Sequence, residues 1–505
     1  MIADSDDGGK WRSSLDPVSP EDEDLESRRG PGWEVPTMRS WALLIVASAV
    51  ALGGRQADGG PVRGPAARRA SAVGWALGQP TSARAQEEWI GRWVGEMERE
   101  GKTADLAVEI ATREGGGLRG SFTSRRQRVM EYPLDTVDVR GNTIRMVLGG
   151  GDVVFEGELA EPRIQGTLTQ QDGHGTFVLR RSEDEPAPYA ATEVRFRNGD
   201  VTLAGSLYVP LGEGPFPAVV FLHGAGPEIR WGASRFFADH LARHGIAALI
   251  YDKRGTGQST GDWRTADLED LADDLLAGVA LLREDPRIDG KKIGLYGHSQ
   301  GGAMAPLVVV RSEGAIAFAI AGAAAGVPMW QSEIHSLQSQ VRALGSVDSA
   351  SLARADSFAV EMVGVARSGG EGYQALQAEA RAAREREEPW IDLLEPPPPD
   401  FYFWKGYSTI ADYDPSEYWA RVEIPVLVIE AEHDLYVPVD RSIPLIDAAL
   451  QRAGNEDYTI LVLPMAPHNF VLRPGPGESF DWPRLAPGFA DLMTAWIRFR
   501  MADPK

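Results

Sequence analysis

The chain has no cysteine. That excludes a thiol nucleophile, thiolate metal sites, disulfides and a lipid-bearing cysteine at the end of an export signal. Positive charge is also scarce: 51 Lys and Arg face 73 Asp and Glu, a formal net charge of -22. A field of that sign repels phosphate backbones, which argues against nucleic acid as a partner. The surplus of acid reads as a solubility device without catalytic meaning. Histidine is limited to eight residues. His240 and His244 stand four apart, but the glutamate that accompanies two-histidine metal helices is missing, so they read as a solvated face. No metal or other cofactor is expected. The apolar run from Trp41 to Leu52 is too short for a comfortable membrane span.

What is present suggests two domains and tails, since 505 residues exceed one ordinary domain. Residues 1–86 read as a disordered tail and an export region. Met1 to Thr37 is polar and acidic. Met38-Arg39-Ser40 then gives a basic start to the apolar run, and small residues follow, as in a secretory signal. Met38 is the expected true start. Cleavage is expected after Ala83-Arg84-Ala85, with a site nearer Gly54 as rival, and the product is expected in the periplasm or outside the cell. A membrane anchor is the alternative, with transient membrane contact through this apolar segment.

Residues 87–182 have an all-β texture. Alternating segments such as Leu106–Ile110, Thr143–Val147, Val153–Gly157 and Ile164–Leu168 are separated by glycine turns at 115–117 and 149–151, which predicts an up-and-down sheet or small barrel. Trp89-Ile-Gly-Arg-Trp93 resembles the opening of small lipocalin-like barrels. Such a domain either holds a lipid or substrate, or only packs on its neighbour. A linker runs from Glu183 to Tyr189.

From residue 190 to 505 the period changes. A hairpin turning at Asn198-Gly199 precedes wholly apolar runs, Ala218–Leu222, Ala247–Tyr251, Ile293–Tyr296, Ile316–Ile320, Val426–Ile429 and Tyr458–Leu463. Between them lie amphipathic helices, one with the stripe Leu268, Leu271, Leu275, Val279, Leu282. That alternation predicts an α/β domain with a buried, mostly parallel sheet. About 327–421 interrupts it with a helical, charged insertion, expected to be a lid.

The strongest motif is Gly297-His298-Ser299-Gln300-Gly301, placed after one buried run and before a helix. A serine there sits on a strained turn above the sheet, and a side chain at Gly297 or Gly301 would collide with its neighbours. The Gln300 amide opens the helix, where unpaired donors favour an anion. Acyl transfer needs a second amide from an earlier loop; His223-Gly224-Ala225-Gly226 follows the first parallel run, and Ala225 is the candidate donor with Gly224 as alternative. His223 is expected to shape that loop. Asp434 follows the run from Val426 and is the candidate acid, with Glu430 and Glu432 as competitors. His468, after the last run, is the candidate base. Serine is a weak nucleophile unless an imidazole takes its proton and a carboxylate orients that ring.

With Tyr251-Asp-Lys-Arg-Gly-Thr-Gly-Gln-Ser-Thr-Gly261 added, the chain from about Ala190 to Arg500 resembles bacterial α/β hydrolases of the serine-aminopeptidase-like and dienelactone-hydrolase-like groups. The resemblance implies an α/β-hydrolase fold and a metal-free, two-step mechanism through an acyl-enzyme. Arg254 to Gly261 would support the catalytic loops through turn geometry. The expected substrate is a small-molecule acyl ester, with a short peptide as alternative. An aminopeptidase would need an acidic pair in the lid, for which Glu361, Glu371, Glu385, Glu387 and Glu388 are candidates. Trp330, Phe401, Tyr402, Phe403 and Trp404 are either lid core or the wall of an apolar acyl site. A different class of reading is a non-catalytic binding protein that uses the β domain.

Overall fold

The computed structural model describes residues 86–502 apart from 114, 171–172, 183–186 and 475–477. The export region and most of the linker lie outside the described residues. The first sheet holds nine strands: β1 (Gly91–Arg99), β2 (Lys102–Thr112), β3 (Leu118–Ser124), β4 (Val129–Pro133), β5 (Thr136–Arg140), β6 (Thr143–Leu148), β7 (Val153–Ala160), β8 (Arg163–Gln170) and β9 (Gly173–Ser182). Their order is β4-β3-β2-β1-β9-β8-β7-β6-β5, and every pairing is antiparallel. For all pairings to be antiparallel, β4 and β5 must run the same way. The chain therefore passes from one edge to the other through Leu134 and Asp135 without reversing. Their amides bond Gly120 of β3 and Val147 of β6 at 2.9 and 2.8 Å, which curls the sheet back on itself.

Alternation explains the packing: Ala104, Leu106, Val108 and Ile110 of β2 point inward and their neighbours outward. The interior is filled by side chains. Trp89, Trp93, Phe155 and Phe177 are at most 1% exposed, and the Phe155 and Phe177 rings meet edge-on at 5.5 Å. A side chain at Gly95 or Gly166 would strike the carbonyl of Val178 or Glu156. Glycine here lets backbones approach where the sheet bends.

The second sheet comprises β10 (Tyr189–Asn198), β11 (Val201–Pro210), β12 (Phe216–Leu222), β13 (Ala247–Tyr251), β14 (Ile288–His298), β15 (Ala319–Gly322), β16 (Val426–His433) and β17 (Tyr458–Pro467). The order is β10-β11-β13-β12-β14-β15-β16-β17. β10 and β11 form the expected hairpin, β11 pairs antiparallel with β13, and β13 to β17 are parallel. Helices Leu268–Glu284, Gln300–Arg311 and Val439–Arg452 cover one face. Helices Ala233–Arg243 and Phe489–Met501 cover the other. The predicted leucine stripe is buried throughout, from Leu268 at 3% exposure to Leu282 at 0%. Its helix starts at an Asp267–Asp270 capping box. The strand expected over Ile316–Ile320 begins later, at Ala319, because that residue is where both neighbours come alongside, Leu295 on one side and Val426 on the other.

Between β15 and β16 lie helices Met329–Ala343, Ser349–Arg367, Tyr373–Glu385, Phe403–Ser408 and Pro415–Trp419. They enclose a core of their own around Phe358, Trp390, Leu394 and Trp404. The two halves of the chain also exchange side chains. Met130 of β4 is buried in the α/β core, and Trp482 is buried in the core of the first sheet, its indole donating to the Lys102 carbonyl at 2.8 Å.

Candidate active site

Parallel register brings five strand ends into one row. Leu222 faces Gly297, His298 faces Gly322, Gly322 faces Ile429, and His433 faces Pro467. The loops that leave these ends carry nearly every residue singled out from the sequence.

Ser299 is the one residue between β14 and the helix Gln300–Arg311. Its φ of 59° and ψ of -121° are sparsely populated for a residue with a side chain. The bend persists because its surroundings demand it. Ser299 N–H donates to the Gly322 carbonyl at 2.9 Å. A Cβ on Gly301 would come within 2.5 Å of the Leu222 carbonyl oxygen, and one on Gly297 would strike Gly301 itself. Ser299 Oγ lies 2.9 Å from His468 Nε2. His468 Nδ1 lies 2.7 Å from Asp434 Oδ2. A carboxylate only accepts, so Nδ1 carries the proton and Nε2 is left to accept from the serine hydroxyl. Asp434 Oδ1 accepts from the amides of Tyr436 and Val437 at 2.8 and 3.0 Å, which fixes the carboxylate plane. Such a line can draw a proton from a hydroxyl and return it to a leaving group.

The competing acids lie elsewhere. Glu430 is buried inside β16 and accepts from the Ala324 amide at 3.2 Å. Burial, and next the Asp434 charge, holds its carboxyl well above the usual carboxylate range. Glu432 is exposed and accepts from the Met465 amide at 2.7 Å.

Among the described residues neither the Gln300 nor the Ala225 amide has an acceptor. The Gly224 amide is occupied by Glu228 Oε2 at 3.0 Å, so of the two candidate donors in that loop it is Ala225 that is unengaged. His223 Nε2 donates to the Tyr251 carbonyl at 2.7 Å, and its ring packs edge-on against Tyr251 at 4.3 Å. Burial, and next the Lys253 charge, push its pKa down to about 3. Below pH 6.5 the unfolded chain takes up a proton that the folded imidazole refuses, so stability is full above 6.5 and falls as pH drops toward 3, by about 1.4 kcal/mol per unit. His223→Gln can still donate to the Tyr251 carbonyl. Denaturant titrations between pH 6 and 4 should show a shallower loss for this variant than for wild type; an unchanged slope would count against a neutral buried His223.

The sequence did not single out Glu228 or Lys253. Lys253 Nζ donates to the carbonyls of Gly224 and Gly226 at 2.8 and 3.0 Å, bracing the loop that presents Ala225. Its neighbours complete the brace. Asp252 binds Arg230 at 2.6 Å, and Arg254 grips Asp274 through two contacts of 2.7 and 2.8 Å. His240 and His244 have adjacent rings 4.5 Å apart, and His240 lies 3.6 Å from Asp491.

The insertion sorts its candidates. Glu388 is buried and accepts from Trp390 at 3.0 Å, with Ser351 and Arg354 also on its carboxylate; these contacts staple the insertion internally. Glu361, Glu371, Glu385 and Glu387 are exposed. Trp404 is buried, with its indole on the Pro398 carbonyl at 2.9 Å, and Phe403 stacks on Tyr407. Trp330 packs against the same core. Phe401 and Tyr402 differ: they are 36% and 38% exposed, and the Tyr402 ring meets Trp263 edge-on at 5.0 Å. Trp263 in turn lies 5.6 Å from Lys253 Nζ, beside the Ala225 loop.

A mostly parallel sheet with a strained serine turn, and with its loops gathered at the strand ends, defines a hydrolase of the α/β type. The model of the alpha/beta hydrolase family matches residues 219–478, just over half of the chain, and the chain belongs to that family. It is similar to esterase EstD of Thermotoga maritima, 32% identical over 142 residues that make up 26% of this chain and 34% of that protein. It is also similar to the quorum-quenching protein AidA of Acinetobacter baumannii, 33% identical over 116 residues, 23% of this chain and 38% of that protein. The chain thus spans about a third of the length of these curated relatives. Among solved structures it is similar to dienelactone hydrolase from Anabaena variabilis, at 17% identity and a TM-score of 0.36, covering 62% of this chain and 98% of that one.

Proposed function

We propose that the protein cleaves carboxylic esters by serine catalysis. The observation that carries this reading is the hydrogen-bonded line from Ser299 through His468 to Asp434, beside two unengaged amides. His468 Nε2 accepts the Ser299 proton as Oγ bonds to the acyl carbon, and the oxyanion is held by the amides of Gln300 and Ala225. The carbon–oxygen bond to the alcohol then breaks and His468 returns the proton to that oxygen. Water attacks the acyl-serine with the same imidazole as base, which frees the acid and regenerates the hydroxyl.

Ester is favoured over peptide by the five glutamates singled out in the insertion, four of them solvated and one stapled internally. Phe401, Tyr402 and Trp263 supply apolar surface for an acyl or aryl group, and the insertion acts as a lid over it. The name of the esterase relative points the same way. On p-nitrophenyl esters of graded chain length run beside aminoacyl and prolyl anilides, the enzyme should turn over esters, best with acyl groups longer than acetyl. Preference for the anilides would replace the ester reading with the peptidase one. A fluorophosphonate that left Ser299 of the folded protein unlabelled would favour the non-catalytic binding reading.

A further inference from the structure

His468 sits on a segment with little support from the sheet. β17 is an edge strand, and the histidine lies just past its end. Met465 and Phe470, on either side, have φ of 59° and 56°, a conformation that side-chain-bearing residues hold only under external constraint.

One constraint comes from the other sheet. The turn between β3 and β4 presents three guanidiniums to the α/β part of the chain. Arg125 reaches Asp239 at 2.8 Å and Arg126 reaches Asp481 at 2.7 Å, neither of these partners being in the segment from Met465 to Phe470. Arg128, itself at φ 60°, donates from Nη1 to the carbonyl of Asn469 at 3.0 Å, the residue after His468. Its guanidinium lies 5.5 Å from the centre of the Phe237 ring. The same turn holds the segment from a second side: the Arg126 carbonyl accepts from Leu485 N at 3.1 Å, and the next amide, Ala486 N, donates to the Phe470 carbonyl at 2.8 Å.

We propose that Arg128 is a positioning residue for His468, so that the N-terminal β domain is a working part of the active site. This rests on the reading of His468 as the base. A small displacement of a general base costs rate far out of proportion to its size, and a guanidinium on the adjacent carbonyl restrains such displacement.

The test compares full-length wild type with Arg128→Ala, Arg128→Lys and Arg125→Ala on one p-nitrophenyl ester, alongside the rate of fluorophosphonate labelling. Arg128→Ala should lower kcat roughly ten- to a hundredfold with little change in KM, and should slow labelling in parallel. Arg128→Lys should recover much of the loss, since an ammonium can donate to the same carbonyl. Arg125→Ala, which removes an anchor of the same hairpin but no contact to the histidine segment, should keep the wild-type kcat. If Arg128→Ala does not fold, Arg128→Met, which keeps the length of the side chain and has no donor, takes its place. Wild-type kcat in the Arg128 variant, or equal losses in the Arg125 and Arg128 variants, would overturn the inference while leaving the proposed chemistry intact. A wild-type protein that neither labels nor turns over ester would sink both.

Discussion

Ser299→Ala should lose ester turnover by a factor on the order of 10⁴ to 10⁶ while keeping its fold. The change removes one oxygen, and that oxygen is the atom aligned with His468 Nε2 at 2.9 Å. Nothing in the packing resists it: alanine is smaller, and the bend at φ 59° is held by surroundings the change leaves in place, among them the Ser299 amide on the Gly322 carbonyl. His468→Ala should cost a similar factor, because an undeprotonated serine hydroxyl is a poor nucleophile. The double variant should be hardly worse than either single one, since the two groups act as a unit. Steady-state rates, fluorophosphonate incorporation and thermal unfolding of the three proteins check this together. A Ser299→Ala enzyme within tenfold of wild type would place the chemistry on another residue.

The serine turn was legible because its requirements are local. A buried run, two glycines spaced around a serine and an apolar helix start are all contiguous, and the collisions that exclude side chains at Gly297 and Gly301 are made within a few residues or with the adjacent strand. Asp434 and His468 were legible through order along the chain, which the register His433 with Pro467 turns into proximity. What escaped depends on non-local packing. Lys253 reads as an ordinary charged turn residue until the fold sets its ammonium on the Gly224 and Gly226 carbonyls. Arg128 reads as one basic residue in a basic turn until β4 docks on the other half of the chain. β17 extends to Pro467 past the expected end at Leu463, because an edge strand tolerates the prolines at 464 and 467 that would break a central one. β4 carries no alternation in its sequence, and only Met130 of its five residues is fully buried.

Asp434→Asn should lower kcat by about 10³- to 10⁴-fold and barely change KM, and the reason is visible in the acceptor pattern. Asp434 Oδ1 serves two amides, Tyr436 N and Val437 N, at 2.8 and 3.0 Å. An asparagine must keep its carbonyl oxygen there, because its NH₂ cannot accept. The NH₂ therefore turns toward His468 Nδ1, which must then accept, and the ring proton moves to Nε2, facing Ser299. A ring in that tautomer cannot take the hydroxyl proton. The geometry is nearly unchanged, so substrate binding survives and kcat bears the loss. Glu432→Gln is the informative companion: its amide oxygen can still accept from Met465 N, and it has no contact with the imidazole, so its rate should stay within a few-fold of wild type. The reverse outcome, an active Asp434→Asn beside a dead Glu432→Gln, would transfer the orienting role to Glu432 and require the His468 segment to refold around it.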